Sequence, residues 1–292
     1  MVKPASDDAS GFFVEVGAQP LWVNVTGDGP AVVLLQDADC PFVRWDLGFV
    51  DRLTDAGYRV VRLDHRGSGR STRVDDEPNT PVSLDDLAAD VAALLDHLGV
   101  ASAHLVGHGM GAMIAQLVAM DFADRVSSLT LIGSSPSPGE PDLPPPDEDF
   151  VEAMVQRLLA NPPTTINEAA VWLADREALL AGTAYPFERH LAIERAKVEL
   201  ACGRNPASSH GEAIHEAPSR SNRLSEIVAP AMVVHGTVDP VYPLEHGRAL
   251  ALGISGAVMI EVEGLGHETP AGFLAEFAPT LLAHLDATEA LL

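Results

Sequence analysis

Three short segments of the chain carry residue types that could perform nucleophilic or acid–base chemistry. The first runs from an apolar, strand-like stretch into a helix-like one and contains Gly-His-Gly-Met-Gly at 107–111. This spacing matches the nucleophile elbow G-x-S-x-G, a sharp strand-to-helix turn whose central serine attacks a carbonyl carbon. Here the centre is Gly109, and both outer glycines that the turn requires, Gly107 and Gly111, are present. The sequence therefore predicts the turn of a serine hydrolase without its nucleophile.

The other two segments supply an acid and a base. Asp239 follows a strand-like apolar run, and His267 follows the last such run. A carboxylate beside a histidine orients the imidazole and stabilises its charged form, so the pair can act as a general base or acid. The chain order of elbow, acid and histidine favours a catalytic role for both residues over an ordinary turn aspartate and a surface histidine.

The composition excludes several classes of protein. A chain of 292 residues that is 47% hydrophobic can bury a large α/β core and is not disordered. A net charge of −24 argues against nucleic acid and anionic membrane as partners. The two cysteines give neither a disulfide framework nor a metal signature, and no cofactor motif is present. Residues 1–8 are polar and no apolar run is long enough to span a membrane, so we expect a cytoplasmic protein.

The elements that must position the three segments alternate between strand and helix patterns. The predicted strands are an opening hairpin at 12–16 and 21–25, followed by 31–35, 58–63, 103–106, 126–132, 231–235 and 257–262. The predicted helices between and after them are 84–98, 112–119 and 272–285. This alternation predicts a mostly parallel sheet with helices on both faces. Because functional residues of such sheets gather at the carboxyl ends of the strands, we expect Asp239 to bond His267 and His267 to face Gly109.

The alternation stops after residue 134. Residues 134–149 are rich in proline, serine and acidic residues, which is typical of an exposed linker. Helical patterns without strands follow at 150–160, 166–180 and 186–200. The sequence predicts a core domain at 1–134 and 224–292 with an inserted helical cap at 135–223. The candidates to line a substrate pocket under this cap are Trp172, Tyr185, Phe187 and Met154, for each of which the helical core is the ordinary alternative.

Taken together, these segments resemble the α/β-hydrolase superfamily over essentially the whole chain. The resemblance rests on the elbow, on the Asp239 and His267 loops, and on Asp64-His65-Arg66-Gly67-Ser68-Gly69-Arg70-Ser71, which is similar to a D-x-R-G-x-G-x-S turn of that superfamily. It implies an α/β-hydrolase fold. The 63–66 turn, the 121–130 stretch and the elbow spacing most resemble the aclacinomycin methylesterases of anthracycline biosynthesis. That resemblance implies a small, largely apolar, polyketide-like substrate.

Two departures from the family pattern affect the chemistry. Gly109 replaces the implied serine, and Asp37 lies in the loop after the third strand, where the resemblance implies a His-Gly or Gly-Gly pair. That loop and the residue after the nucleophile supply the N–H groups of an oxyanion hole, here Asp37 or Ala38 together with Met110. A carboxylate at Asp37 would repel an oxyanion, so the loop suits acyl transfer poorly unless the side chain points away or is protonated.

Other reactive side chains have ordinary explanations. The Cys40 thiol could act as the nucleophile in place of the serine, but a lone cysteine in a loop is more often structural. Ser68 and Ser71 lie in a turn that the resemblance implies is structural, and His108 fills the variable position of the elbow. Asp37 is a candidate for a second proton-transfer group, as is Asp39 in the same loop.

Three hypotheses remain open for Gly109. In the first, the chain is an enzyme that uses the His267–Asp239 dyad for non-covalent hydrolysis, cyclisation, elimination or isomerisation. In the second, it is a carboxylic or methyl ester hydrolase inactivated by a Ser→Gly change, which the strained elbow accommodates readily because glycine has no Cβ. In the third, it is a ligand-binding protein built on a hydrolase scaffold. We favour the first because a change at Gly109 alone would not explain Asp37.

Overall fold

The computed structural model describes residues 10–16, 19–71, 82–137, 139–205 and 208–291. Its strands form one sheet with a layer of helices on each face. The strands of the sheet are β1 (Phe12–Val16), β2 (Gln19–Thr26), β3 (Ala31–Leu35), β4 (Arg59–Leu63), β5 (Ala103–His108), β6 (Val126–Ile132), β7 (Ala231–Gly236) and β8 (Val258–Val262). Their spatial order is β1-β2-β4-β3-β5-β6-β7-β8. The first two pairings, β1 with β2 and β2 with β4, are antiparallel, and the others are parallel. The predicted mostly parallel sheet is confirmed. The polar segment 1–8 lies outside the described residues.

Helices cover both faces of this sheet. They are α1 (Leu47–Asp55), α2 (Leu84–His97), α3 (Met110–Asp121), α4 (Glu148–Leu159), α5 (Ile166–Leu180), α6 (Arg189–Ala201), α7 (His210–Glu216), α8 (Leu244–Gly253) and α9 (Ala271–Glu289). The sequence patterns predict no separate helix for α1, α7 or α8. In α1, the signal is the cap at Asp46, whose carboxylate accepts from the Phe49 N–H, followed by the buried face of Phe49, Val50 and Leu53.

The central strands are mostly apolar because they are buried on both faces. Every residue of β3, β5 and β6 is buried. One core lies between the sheet and helices α2, α3 and α8, and a second lies between the sheet and helices α1 and α9. These two layers hold the carboxyl ends of the parallel strands in fixed positions, as is usual for doubly covered sheets.

Helices α4 to α7 lie between β6 and β7, and the described residues 148–205 and 208–216 are called the helical insert below. Helix α5 begins with a capping box, in which Thr165 and Glu168 each accept a hydrogen bond from the backbone of the other. It packs on α6 through Ala170, Leu173 and Ala196. The predicted boundaries of core and cap stay a prediction. Among the described residues, no helix combines the length and the apolar character needed to cross a membrane.

The turn from β5 into α3 requires glycine at three positions for three reasons. At Gly107 an added Cβ would lie 2.5 Å from the Cα of Ala112. At Gly111 it would lie 2.2 Å from the carbonyl oxygen of Leu35, so glycine lets α3 approach β3 closely. Gly109 has φ 54° and ψ −115°, a conformation that is strained for residues with a Cβ. The predicted elbow is therefore present as a backbone shape.

We expect Gly111→Ala to destabilise the protein, because its new methyl group would overlap the Leu35 carbonyl. The cost should be about 1–3 kcal/mol of unfolding free energy, measured by chemical denaturation. Gly211→Ala is the matched control, since Gly211 is helical and nothing lies within 4 Å of its added Cβ. That control should change stability by less than about 1 kcal/mol. Equal losses in both variants would contradict the close helix–strand contact at Gly111.

Candidate active site

Asp239 and His267 lie on neighbouring loops at the carboxyl ends of β7 and β8. The Nδ1 atom of His267 lies 2.9 Å from Oδ2 of Asp239. The other oxygen of Asp239, Oδ1, accepts from the backbone N–H groups of Val241 at 2.8 Å and Tyr242 at 3.0 Å. The carboxylate is therefore fixed through both oxygens, and the hydrogen-bond distance expected from the loop order is present.

The backbone of His267 is also fixed on both sides. Its N–H donates to the carbonyl of Leu180 in the helical insert at 2.9 Å, and its carbonyl accepts from Nε2 of His108 at 2.7 Å. The residue is 4% exposed. The imidazole is thus held in a buried position with its Nε2 atom directed towards the elbow and Asp37.

The side chain of Asp37 fills the space above Gly109. Its Oδ1 atom accepts from the Met110 N–H at 2.8 Å, and its Oδ2 atom lies 3.4 Å from Nε2 of His267. A Cβ built on Gly109 would lie 2.1 Å from Oδ1 and 2.4 Å from Cγ of Asp37. Asp37 in this position and a side chain at residue 109 exclude each other. Gly109 and Asp37 are therefore sterically complementary.

The oxyanion hole differs from the arrangement expected from the sequence. The Asp37 N–H, one of the expected donors, instead donates to the side chain of its neighbour Gln36 at 2.8 Å. The Met110 N–H donates to the Asp37 carboxylate, and Ala38 is half-buried against the core. The side-chain amide oxygen of Gln36 thus engages the Asp37 N–H, and an oxyanion role for Asp37, Ala38 and Met110 stays a prediction.

The charges of the site stabilise one another. Burial lowers the pKa of the His267 imidazole, but Asp239 and Asp37 outweigh burial and raise it well above its usual range. Burial likewise opposes ionisation of Asp37, but the hydrogen bond and charge of His267 hold the pKa of that carboxyl well below its usual range. The pKa of Asp239 is lowered for the same reasons. These shifts favour an imidazolium between two carboxylates, a charge distribution of net −1.

Gln36 and His108 are two further residues of the site. The Oε1 atom of Gln36 accepts from the Asp37 N–H and lies 3.2 Å from Nδ1 of His108, which is bonded through Nε2 to the His267 carbonyl. Burial lowers the pKa of His108. These two side chains connect the loop of Asp37 to the loop of His267. Sequence analysis does not single out Gln36, and the signal for its role is its place at the carboxyl end of β3.

Other candidates from the sequence lie apart from this contact. Cys40 is buried, and burial raises the pKa of its thiol to about 12, which keeps it protonated and unreactive. Asp39, with φ 64°, donates its N–H to Nδ1 of His210 and accepts from the Ser208 hydroxyl. The hydroxyl of Ser71 donates to the Asp64 carbonyl within its turn.

The four predicted pocket residues fall in different places. Tyr185 and Phe187 line a cavity of about 250 Å³ between the helical insert and the His267 loop, with Glu268 on its wall. Trp172 lines an open groove on the insert itself, beside residues 161–164. Met154 is half-buried on α4 and lines neither space. Of the described residues, no group of three or more histidine, cysteine or acidic side chains is placed to hold a metal ion.

The comparisons with known proteins agree with this architecture. Residues 43–270 match the alpha/beta hydrolase fold family. A rhodomycin D methylesterase of Streptomyces peucetius is 32% identical over 290 residues, covering 91% of this chain and 95% of that protein. A 2-hydroxy-6-oxo-6-phenylhexa-2,4-dienoate hydrolase of Comamonas testosteroni is 31% identical, covering 84% of this chain and 83% of that protein.

Solved structures show the same fold. The crystal structure of an enol-lactonase from Burkholderia xenovorans superimposes with a TM-score of 0.75 at 25% identity, covering 94% of this chain and 99% of that one. The family match begins in the loop after β3 and ends where α9 starts, so it includes the elbow, Asp239 and His267. The chain therefore belongs to the α/β-hydrolase fold family.

Proposed function

We propose that this protein is an enzyme of polyketide-like secondary metabolism that moves protons on a carbonyl-bearing substrate without forming an acyl-enzyme. The observation that carries the proposal is the position of Asp37, whose carboxylate lies where the side chain of an elbow serine would be. There it contacts both the Met110 N–H and the His267 imidazole. The site therefore has an acid and a base side by side in place of a nucleophile and a base.

The two groups have complementary roles in this mechanism. Asp37 is ionised and takes a proton from the carbon beside a substrate carbonyl. His267 is protonated and donates its Nε2 proton to the carbonyl oxygen, which gives an enol and a neutral imidazole. Asp239 stays ionised and stabilises the charged imidazole before the transfer. Return of the proton to another carbon is an isomerisation, expulsion of a neighbouring leaving group is an elimination, and attack of the enol on a second carbonyl is a cyclisation.

The charge of the site restricts the substrate class. Because Asp37, His267 and Asp239 together carry −1, and the side chain of Asp37 is 16% exposed, an approaching carboxylate would be repelled. A neutral ketone or ester is not. The rhodomycin D methylesterase relatives, by their name, act on a methyl ester, which supports a neutral polyketide-like substrate for this chain.

Ester hydrolysis is the second candidate, and the names of those relatives favour it. In that reaction Asp37 would activate a water molecule, because no hydroxyl is present at residue 109. The Met110 N–H, which would stabilise the oxyanion, already donates to Asp37. Loss of one oxyanion donor costs about 10²–10³ in rate, so the geometry supports proton transfer better than ester hydrolysis.

The charged state of His267 can be tested through stability. Its folded pKa is raised, so it contributes stability that is fully present below its unfolded pKa of about 6.5 and is lost as pH rises through the folded pKa. We expect the unfolding free energy, compared with His267→Gln, to fall with pH above about 6.5 by up to about 1.4 kcal/mol per unit. His190→Gln, whose side chain is 75% exposed, is the control and should leave the slope unchanged. A pH-independent difference for His267→Gln would mean a neutral imidazole.

The proton transfer itself can be followed in deuterium oxide. The probe is a tetracyclic anthracyclinone methyl ester with an enolisable ketone, with deuterium at the carbon beside the ketone measured by mass spectrometry and methanol by chromatography. We expect catalysed deuterium incorporation without methanol release, reduced about 10²–10⁴-fold by Asp37→Asn and by His267→Gln. Methanol release that depends on His267 would support the esterase instead. Binding of the probe without either reaction would support the ligand-binding alternative.

Restoring the serine tests the pairing of Gly109 with Asp37. Gly109→Ser alone should lose about 1–3 kcal/mol of stability, because its Cβ meets Asp37, and should hydrolyse p-nitrophenyl acetate little faster than the unchanged protein. Asp37→Ala with Gly109→Ser should relieve the overlap, free the Met110 N–H and let His267 act as a base. We expect this double variant to gain on the order of 10²-fold over either single variant. A large gain from Gly109→Ser alone would identify an inactivated esterase.

A further inference from the structure

A network of ion pairs, most of them buried, adjoins the His267 loop through Glu268. Its three cations and three anions are Arg44, Arg195, Arg204, Glu177, Glu199 and Glu268. The guanidinium of Arg44 is central. It lies 2.5 Å from Glu268, 2.8 Å from Glu199 and 3.0 Å from Glu177. With their side chains at most 17% exposed, these four are largely desolvated, so each depends on its partners.

The network joins three parts of the molecule. Arg44 ends the short 3-10 turn that follows the Asp37 loop, and Glu268 is the residue directly after His267. Glu177 lies on α5 and Glu199 on α6, both in the helical insert. Arg44 therefore bonds the loop of His267 and the insert at the same time.

Backbone hydrogen bonds strengthen the same connection. The Leu180 carbonyl accepts from the His267 N–H at 2.9 Å, and the Gly264 carbonyl accepts from Thr183 at 2.7 Å and Ala184 at 2.9 Å. The segment after α5 thus runs along the His267 loop. The cavity lined by Tyr185 and Phe187 lies where this segment meets the His267 loop, with Glu177 and Glu268 on its wall. A group bound there would touch the network and the His267 loop together.

We propose that Arg44 is a positioning residue. By binding Glu268 it sets the distance between His267 and Asp37, and because it also binds Glu177 and Glu199, that distance depends on the position of the helical insert. The proposal rests on the proposed function only in taking His267 as the proton-transfer group. The guanidinium suits this role because its planar fork directs several N–H donors at separate carboxylates. A lysine ammonium carries the same charge, but as a point charge on a flexible chain it cannot hold three carboxylates in one geometry.

The test compares two substitutions that preserve charge. Arg44→Lys removes the fork that holds Glu268, whereas Arg204→Lys makes the same change at an equally buried cation that pairs with Glu199, with side-chain exposures of 9% and 8%. The readout is the ring-nitrogen NMR signals of His267, identified by their loss in His267→Gln. We expect Arg44→Lys to shift these signals and to lower deuterium incorporation by about 10- to 100-fold, since small displacements of catalytic groups have effects of this size. Arg204→Lys should do neither.

Two outcomes would overturn the proposal: His267 signals that stay in place in Arg44→Lys, or signals that move equally in both variants. If Arg44→Lys does not fold, Arg44→Gln with Glu268→Gln replaces it. That double variant leaves two arginines facing two glutamates, and unchanged His267 signals in it would again overturn the proposal. The NMR comparison needs no turnover, so it distinguishes failure of this proposal from failure of the proposed proton transfer.

Discussion

The contact between the Asp37 carboxylate and the Met110 N–H is the interaction on which the rest of the site depends. It places a negative charge at the start of α3, where the helix dipole and the exposed N–H groups favour an anion. It also places that charge 3.4 Å from His267, whose pKa it raises together with Asp239. The contact is possible only because residue 109 has no side chain. The absence of a Cβ at residue 109 thus lets Asp37 raise the pKa of a histidine in a different loop.

This arrangement reverses the usual relation between elbow and histidine. In a serine hydrolase the imidazole is neutral and accepts the hydroxyl proton, and the N–H after the nucleophile stays free for the oxyanion. Here two carboxylates raise the pKa of the imidazole and so favour its charged form, and the same N–H is engaged by a carboxylate. Under the proposed function, the scaffold that normally supports covalent catalysis presents a proton donor and a proton acceptor. This is the physical basis for preferring proton transfer over ester hydrolysis.

The loops that carry Asp37 and His267 are held in place by buried side chains and backbone groups of neighbouring elements. Gln36 and His108 connect the Asp37 loop with the His267 loop, and the Leu180 carbonyl fixes His267 to the helical insert. Arg44 adds an ionic connection between the same parts. A charged pair needs such support, because an imidazolium and two carboxylates in a buried site are favourable only in a well-defined geometry.

The sequence by itself determined the sheet, the elbow and the Asp239–His267 pair. Strand positions followed from apolar runs of the right length, helix α5 from its periodicity, and the pair from the order of loops along a parallel sheet. It also placed Asp37 in the loop after β3, where we expect its charge to oppose acyl transfer. Helices α1, α7 and α8 were not predicted, because helices of only 9, 7 and 10 residues contain few periodic positions.

The tertiary structure alone decided where the Asp37 side chain points. A loop residue can turn its carboxylate to solvent or to the elbow, and the choice depends on the space above Gly109, on the Met110 N–H and on the charge of His267, which come from distant parts of the chain. The Arg44 network is likewise invisible in the sequence, because its six members are spread from residue 44 to residue 268. Spacing along the chain reports local geometry, whereas contacts between buried charges form only when the layers pack together.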